Sequence, residues 1–324
     1  MSTEYFAQVA TYLPEYHVLV PSFVLILGVW LTVTVIQRSY VTPLWEIPGP
    51  LLNTLTNLLL EYHIAFGTYH QYTEKLHSTY GPVVRVGYNK VSLSDPSELK
   101  RILSTHEFPK GSFYKAMEAV FPSAFSTTDP DFNKRRRRQF GNAYSLPSVR
   151  HYEDNVLKHG VLSLIALWDR QITSSQCENK ALVNFHYGFH GLAFDIFGIL
   201  GFGQSFEILS TGDTKMIDSV GKFVKLGAVT SSVPFGNRLE WFLGDWIDAG
   251  KYVQATIDDT IKKRRQESAE ASSINHVDIL QRLVDARDPL TDEPIDDVPL
   301  RSEILTMLLA GTDTTSNTLI WAML

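Results

Sequence analysis

The sequence predicts a mainly α-helical fold with one small β-hairpin, preceded by a single transmembrane helix. Three observations support this prediction: an uncharged apolar run near the N-terminus, one pair of short strand-like segments, and apolar periodicity with helix start signals through the rest of the chain. The chain has 324 residues, of which 44% are hydrophobic and 20% are charged. This composition supports a large core and excludes a disordered acidic tail.

Residues 19–36 form the apolar run and contain no charged side chain. The run is just long enough for a helix to cross a hydrocarbon layer of about 30 Å. Arg38 follows it directly, and positive residues usually stay on the cytosolic side of a membrane. We therefore expect a short lumenal N-terminus over residues 1–18, a transmembrane anchor over residues 19–36, and a cytosolic location for the bulk of the chain.

The same composition allows two alternatives to an anchor. A cleaved signal peptide is disfavoured, because the run has no basic residues before it and no small-residue cleavage site after it. A buried core helix would have the same composition and stays open as an alternative.

Proline and capping residues set the boundaries of the next elements. Pro43 and Ile47-Pro48-Gly49-Pro50 predict a stiff elbow over residues 37–50, because proline fixes φ and lacks an N–H donor. Asp95-Pro96-Ser97-Glu98 and, later, Asp129-Pro130 predict helix starts. The remaining predicted elements are one or two helices within 51–76, strands at 83–86 and 91–94, and helices near 156–168, 185–201, 214–226, 249–265 and 277–284.

The segment 108–128 contains two prolines and a glycine among aromatic residues, which predicts an irregular apolar loop. Loops with aromatic side chains often line pockets. Phe113, Phe121 and Phe125 are therefore candidate pocket residues, with simple packing on the core as the alternative.

Five consecutive cations occupy residues 134–138 of the helix that starts after Asp129. They point about 100° apart on a helix and form no stripe. The net charge of −6 also argues against nucleic acid as a partner. Most of these cations are expected on a solvated surface. Arg137 is four residues from Asn133 and shares a line with Tyr144, so we expect Arg137 to lean inward, where it would need an anion.

His186 and His190 stand one helical turn apart, as zinc ligands can. No third ligand and no H-E-x-x-H pattern accompany them, so packing is the favoured interpretation. The commonest hydrolase and NTPase motifs, G-x-S-x-G and G-x-x-x-x-G-K, do not occur in the sequence.

A helix that begins near Asp296 carries the clearest chemical signal. Its apolar first half is followed by Ala310-Gly311-Thr312-Asp313-Thr314-Thr315, which includes several weak helix formers. Glycine allows close approach of a flat ligand, and threonine hydroxyls can bond back to carbonyls and open the helix. Asp313 and Thr314 offer an acid and a hydroxyl able to relay protons. The alternative is a Ser/Thr-rich helix end without chemistry.

This six-residue run resembles the oxygen-activation motif of the cytochromes P450, the haem-thiolate monooxygenases. The anchor, the Ile47-Pro48-Gly49-Pro50 elbow, Tyr80-Gly81-Pro82-Val83-Val84-Arg85-Val86-Gly87 and Phe202-Gly203 are also similar to segments of membrane-bound fungal members. The resemblance implies an enzyme of the endoplasmic reticulum membrane that inserts one oxygen atom into a small lipophilic, secondary metabolite. Its cofactor would be haem, and dioxygen and an NADPH-dependent reductase would be its partners.

The resemblance also implies roles for individual residues. Thr314 would hydrogen-bond bound dioxygen, Asp313 would supply protons, and Ala310 and Gly311 would face the haem. Arg137 falls where the family has an arginine that pairs with a haem propionate. Asn133 stands where the family usually has Trp or His, a position that would contact a haem propionate. The three phenylalanines of segment 108–128 would face the substrate.

The axial cysteine of the family has no counterpart in this sequence. The single cysteine, Cys177, precedes the helix and lies in a polar run, where a surface thiol is expected. The sequence also stops at Leu324 without a helix-capping signal. We therefore expect residues 51–324 to be the N-terminal part of a P450 domain, truncated within its central helix and inactive alone. The alternative is a non-catalytic, membrane-anchored fragment that binds a partner or a lipophile.

Overall fold

The structure is a computed structural model and divides into two compact units, Met1–Phe108 and Pro109–Leu324. It is mainly helical, with one two-stranded antiparallel sheet in the part of the chain that it describes. This confirms the predicted fold class. The predictions for Phe121 and Cys177 fall outside the described residues. The described residues are 3–105, 107–120, 122–176, 180–232, 243–270, 278–288 and 291–324.

The first unit begins with the apolar helix. Helix α1 covers Thr3–Ile36 and continues into a π-helical turn at Gln37–Val41, so it starts well before the predicted span. Within it, Leu19–Val41 is long and apolar enough to cross a membrane, and none of this stretch is buried in the protein. The helical conformation of this stretch and its apolar composition both agree with the predicted membrane anchor.

Short elements follow the elbow. Asp95 caps the helix Pro96–Ser104 (α5) as predicted, because its carboxylate accepts hydrogen bonds from the backbone N–H groups of Ser97 and Glu98 at 2.9 and 3.1 Å. Between the elbow and the hairpin that precedes Asp95, the chain forms three helices where one or two were predicted. The elements are α2 Leu51–Leu55, α3 Leu58–Ala65, α4 Tyr69–Tyr80, β1 Val83–Gly87, β2 Lys90–Leu93 and α5 Pro96–Ser104.

Arg85 on β1 joins the elbow and the end of the anchor to the hairpin. Its backbone N–H donates to the Pro48 carbonyl at 2.8 Å, and its buried guanidinium donates to the carbonyls of Arg38 and Tyr88, both at 2.7 Å. A Cβ on Gly49 would lie 2.5 Å from the Arg85 carbonyl oxygen. Glycine is therefore required in the elbow for this close approach.

The second unit contains the remaining helices. Its elements are α6 Ser112–Val120, α7 Pro130–Phe140, α8 Leu146–His151, α9 Glu153–Asn155, α10 Leu162–Ser174, α11 Phe185–Phe197, α12 Ile208–Thr211, α13 Lys215–Ser232, α14 Gly244–Ala269, α15 Ile279–Val284 and α16 Asp297–Met323. The prediction of an irregular loop over 108–128 was wrong where α6 forms. Pro109 and Gly111 precede this helix and Pro122 follows it, so the helix-breaking residues bound the helix without interrupting it.

The core of the second unit lies around α11, α14 and α16. Val253, Ile257 and Ile261 form the inner face of α14, at four-residue spacing and completely buried. Leu300, Ile304 and Leu308 do the same on α16. Each fully buried aliphatic side chain contributes about 1.5–3 kcal/mol. This packing fixes the rotation of α16 about its own axis.

A buried ion pair supports the same unit. The Arg264 guanidinium on α14 donates from Nη1 to both carboxylate oxygens of Asp278 at 2.9 Å, and both side chains are almost fully buried. Asp278 also caps α15 by accepting from the Gln281 backbone N–H at 2.7 Å. Removal of one charge would leave the other buried without its partner, which is strongly destabilising.

We expect Asp278→Asn to lower the free energy of unfolding by about 3 kcal/mol, because the buried Arg264 then keeps only the more distant carboxylate of Glu267, 3.7 Å from its Nε, as a counter-charge. Chemical denaturation of the 324-residue chain in detergent, followed by circular dichroism, measures this loss. Asp248→Asn is the matched control. It removes an acid from the exposed pair with Lys251 and should cost less than about 1 kcal/mol. Equal effects of the two substitutions would contradict a structural role for the buried pair.

Candidate functional site

One face of α16 is buried and the opposite face carries the predicted site residues. Leu308, Thr312 and Ser316 are buried, again at intervals of four residues. The exposed face includes all four predicted site residues of this helix, namely Ala310, Gly311, Asp313 and Thr314. The structure therefore brings these four residues together on one surface.

The helix stays α-helical through the motif, so the predicted opening of its hydrogen-bond ladder was wrong. The Thr314 hydroxyl donates to the Ala310 carbonyl at 2.6 Å, and the Thr312 hydroxyl donates to the Leu308 carbonyl at 2.6 Å. These hydroxyls share carbonyls with the backbone and do not displace it.

Ala310 and Gly311 give the exposed face a smooth strip. A Cβ on Gly311 would lie 3.6 Å from the nearest atom of the Phe197 ring, which is an ordinary contact. Packing against α11 therefore does not require glycine here. The absence of larger side chains leaves room for a flat group against the helix.

Asp313 lies at the margin of this strip, next to α11. Its Oδ1 is 3.8 Å from Nε2 of His190, whose side chain is 11% exposed, compared with 68% for Asp313. His190 stacks on His186, with ring centroids 4.3 Å apart. The described residues contain no group of three or more His, Cys, Asp or Glu placed to hold a metal ion.

Glu303, one of the buried residues of α16, holds the loop after α6. Its Oε1 accepts the backbone N–H of Ala124 at 2.7 Å, and the residue is only 4% exposed. Burial raises the pKa of Glu303 to about 7, while the Ala124 N–H and the positive charge of Arg136 act in the opposite direction. No local sequence signal predicts this contact, because a single acid in an apolar helix resembles a solvated position.

Asn133 contacts the same loop from α7. Its side-chain amide donates to the Ala124 carbonyl, which also accepts from Lys110 Nζ at 3.3 Å. The haem contact implied for Asn133 stays a prediction, and in this structure the amide already has a protein partner.

The arginine of α7 that turns toward the packed interior is Arg136. It donates to Gln139 Oε1 at 3.0 Å and lies 5.0 Å from the centre of the Phe132 ring. Burial lowers the pKa of Arg136, and the charge of Glu303 opposes that change. The prediction that Arg137 leans inward was wrong, since its side chain is exposed. The role implied for Arg137, pairing with an anionic group of a ligand, stays a prediction.

Two of the predicted aromatic residues form an exposed cluster. Tyr114 packs edge-to-face against Phe113 and against Phe125, with ring centroids 5.7 Å apart in both pairs. Lys110 Nζ lies 5.2 Å from the centre of the Tyr114 ring. An accessible aromatic surface of this kind can contact an apolar ligand.

We expect Glu303 to make the stability of the chain depend on pH. Its folded-state pKa of about 7 lies above the ordinary value of 4.5, so the folded state binds more protons between these values and stability falls as pH rises through this window. The loss is at most about 3 kcal/mol. Glu303→Gln keeps the acceptor for Ala124 and should flatten the dependence. Urea titrations at pH 5 and pH 8 measure it. Glu98→Gln, at an exposed acid, is the control, and an unchanged slope in Glu303→Gln would contradict the assignment.

The sequence matches a family model and several known proteins. The family model described as Cytochrome P450 matches residues 47–324. The chain is 28% identical over 298 residues to the cytochrome P450 monooxygenase helB1 of Aspergillus fumigatus, covering 90% of this chain and 50% of that protein. It is 28% identical over 288 residues to the cytochrome P450 monooxygenase acrD of Aspergillus aculeatus, covering 87% of this chain and 55% of that protein.

A third relative carries a substrate in its name. The benzoate 4-monooxygenase bphA of Aspergillus niger is 27% identical over 330 residues, covering 91% of this chain and 63% of that protein. The chain thus spans about half the length of the first two relatives and somewhat more of the third. Because the family model matches most of the chain, from the elbow through α16, this chain belongs to the cytochrome P450 family.

Proposed function

We propose that this chain is part of a membrane-anchored monooxygenase that inserts one oxygen atom of dioxygen into a small lipophilic, secondary metabolite. Family membership implies haem as cofactor and an NADPH-dependent reductase as electron donor. The observation that carries the proposal is the joint exposure of Ala310, Gly311, Asp313 and Thr314 on one face of α16. In this proposal residues 51–324 contribute the N-terminal part of the catalytic domain.

The exposed strip of α16 fits one face of a haem. Ala310 and Gly311 carry no side chain larger than a methyl group, so a flat macrocycle can lie against the helix there. Arg137 on α7 is exposed and has the charge to pair with a propionate. When bound, haem would supply the iron that activates dioxygen. The described residues include no cysteine, so a thiolate ligand is not among them.

Asp313 and Thr314 would donate and accept protons beside the haem. The Thr314 hydrogen is held by the Ala310 carbonyl, so the exposed oxygen can accept a hydrogen bond, and a shift of this hydrogen would let it donate. Asp313 is 68% exposed and can exchange its proton with water. The acid would deliver protons while the hydroxyl orients the group that receives them.

The aromatic cluster supports an apolar substrate. Phe113, Tyr114 and Phe125 present ring faces and edges to the surface, and such surfaces bind apolar molecules with little geometric selectivity. Phe113 and Phe125 are therefore proposed substrate contacts, together with Phe121 from the sequence. The chemistry of these side chains favours a lipophilic substrate and leaves its identity to experiment.

The apolar helix supports attachment to the endoplasmic reticulum membrane by a single span. Leu19–Val41 has the length and composition to cross a bilayer, and Arg38 lies at its C-terminal end. A positive residue at this end favours a cytosolic position for everything after it. In that position the domain would meet both its reductase and substrates dissolved in the membrane.

Haem binding tests the proposed function. Yeast microsomes that contain the product of the whole gene should show the reduced carbon-monoxide difference band of a haem-thiolate protein. Arg137→Ala should lower the haem content severalfold, because a propionate loses its counter-charge. Arg138→Ala, at the adjacent exposed arginine, is the matched control. Absence of the band in microsomes that contain the folded protein would contradict the proposal.

Residues 1–324 alone should give no such band, because their single cysteine, Cys177, precedes α16 in the sequence and stands in a polar run. Cys177→Ser should leave their spectrum unchanged. A normal band from the 324-residue polypeptide would show that it is active alone and would overturn this part of the proposal.

We expect Leu25→Arg combined with Val29→Arg to release the chain from membranes. Two arginines near the centre of the span cost about 5–7 kcal/mol on insertion scales. Alkaline carbonate extraction followed by blotting measures the soluble fraction. Leu182→Arg, which changes a fully exposed leucine in the second unit, is the control and should stay with the membrane pellet. Retention of the double variant in the pellet would argue against a transmembrane anchor.

A further inference from the structure

His190 is a buried titratable side chain that the mechanism above does not use. It belongs to α11, which packs along α16, and only 9% of the residue is exposed. Its Nε2 lies 3.8 Å from Oδ1 of Asp313, the acid of the exposed motif. The two residues are far apart in sequence, and the packing of the two helices brings them together.

The position of the hydrogen on the His190 ring follows from its other contact. Nδ1 is 3.0 Å from the backbone carbonyl oxygen of His186. A carbonyl can only accept a hydrogen bond, so Nδ1 must carry the hydrogen. In the neutral ring Nε2 is then a bare lone pair that faces the carboxylate of Asp313. In the charged ring Nε2 carries a hydrogen there. A carboxylate repels the lone pair and attracts the N–H.

The distance sets how a proton can pass between the two groups. A separation of 3.8 Å is too long for a direct hydrogen bond and suits one bridging water. Asp313 is exposed, so rotation of its side chain can also shorten the gap. The transfer moves one proton from Nε2 of the imidazolium to Oδ1 of the carboxylate. It leaves a neutral imidazole, still bonded through Nδ1 to the His186 carbonyl, and a neutral carboxylic acid.

His186 is the second titratable group that faces His190. It lies on the same helix, is exposed to solvent, and stacks on His190 with ring centroids 4.3 Å apart and an interplanar angle of 27°. His190 therefore contacts an exposed imidazole on its own helix and faces an exposed carboxylate on α16.

We propose that His190 is a positioning residue that returns protons to Asp313 and that His186 connects it with solvent. The inference rests on the proposed function in one respect, because it gives Asp313 its role as the acid of the motif. The coupling between the three side chains is a property of this chain and can be measured without haem or turnover.

Histidine-selective ¹⁵N NMR of residues 1–324 in lipid nanodiscs tests the coupling. The chain has 10 histidines, and the signal missing in His190→Gln assigns His190. Neutral His190 should be the Nδ1–H tautomer. Asp313→Asn should move the ¹⁵N signal of His190 Nε2, because it removes the carboxylate charge 3.8 Å from this atom.

Two further variants control this measurement. His186→Phe keeps a stacked ring and removes the exposed imidazole, so exchange of the His190 ring hydrogen with water should become slower. Asp248→Asn, at an exposed acid on α14, should leave the Nε2 signal unchanged. An Nε2–H tautomer, or an Nε2 signal that does not respond to Asp313→Asn, would overturn the inference. If His190→Gln does not fold, the other variants keep His190 and still decide the outcome, with His186→Gln and exclusion then assigning its signal.

Turnover of the product of the whole gene separates this inference from the proposed function. With His190→Gln, the carbon-monoxide difference band and KM should be retained while kcat falls about tenfold or more, with a larger solvent isotope effect. An unaltered kcat and isotope effect would overturn the inference even with the band intact. Absence of the band in the unmodified protein would instead remove the proposed function, and the NMR result would still decide whether the three side chains are coupled.

Discussion

The burial of one ridge of α16 is the constraint on which the candidate site depends. Every fourth residue from Leu300 through Ser316 is buried, and α11 and α14 pack along this helix. Ridges formed by every fourth residue are the commonest packing surface of helices in globular proteins. Once the ridge is buried, every other side chain of the helix has a fixed direction. The smooth strip faces out, Asp313 lies beside α11, and Glu303 points to the loop after α6.

The small polar residues of the ridge explain why the helix stays regular. Thr312 and Ser316 are completely buried, and each hydroxyl donates to a carbonyl of the preceding turn. A buried hydroxyl without a partner would cost about 1–3 kcal/mol. Weak helix propensity costs only a few tenths of a kcal/mol per residue. Internal hydrogen bonding and burial of the apolar turns therefore outweigh the weak helix propensity of these residues. The expectation of an opened helix gave too much weight to that propensity.

Local sequence signals predicted most of the helices and strands, whereas contacts between residues distant in sequence could not be predicted from such signals. Asp95 and Asp129 cap their helices as predicted, because a cap depends only on the next few residues. Arg136 could not be distinguished from Arg137 by sequence, since both belong to one run of five cations and the choice depends on which face of α7 packs against the rest of the unit. The pairing of His190 with Asp313 has the same origin. The spacing of His186 and His190 places both on one face of a helix, but the residue near this face, Asp313, lies on another helix.

Burial of this ridge sets the surroundings of two acids on α16. Glu303 is buried and accepts a hydrogen bond from Ala124, which belongs to the loop that leads toward the exposed aromatic cluster. Asp313 is exposed and lies beside His190. A rotation of α16 by one residue, about 100°, would move Glu303 away from the loop and Asp313 away from His190 together. The cost of exposing the aliphatic residues of the ridge opposes that rotation. The apolar core thus determines the position of the loop and the environment of the acid at the same time, although it contacts neither a ligand nor a reacting group.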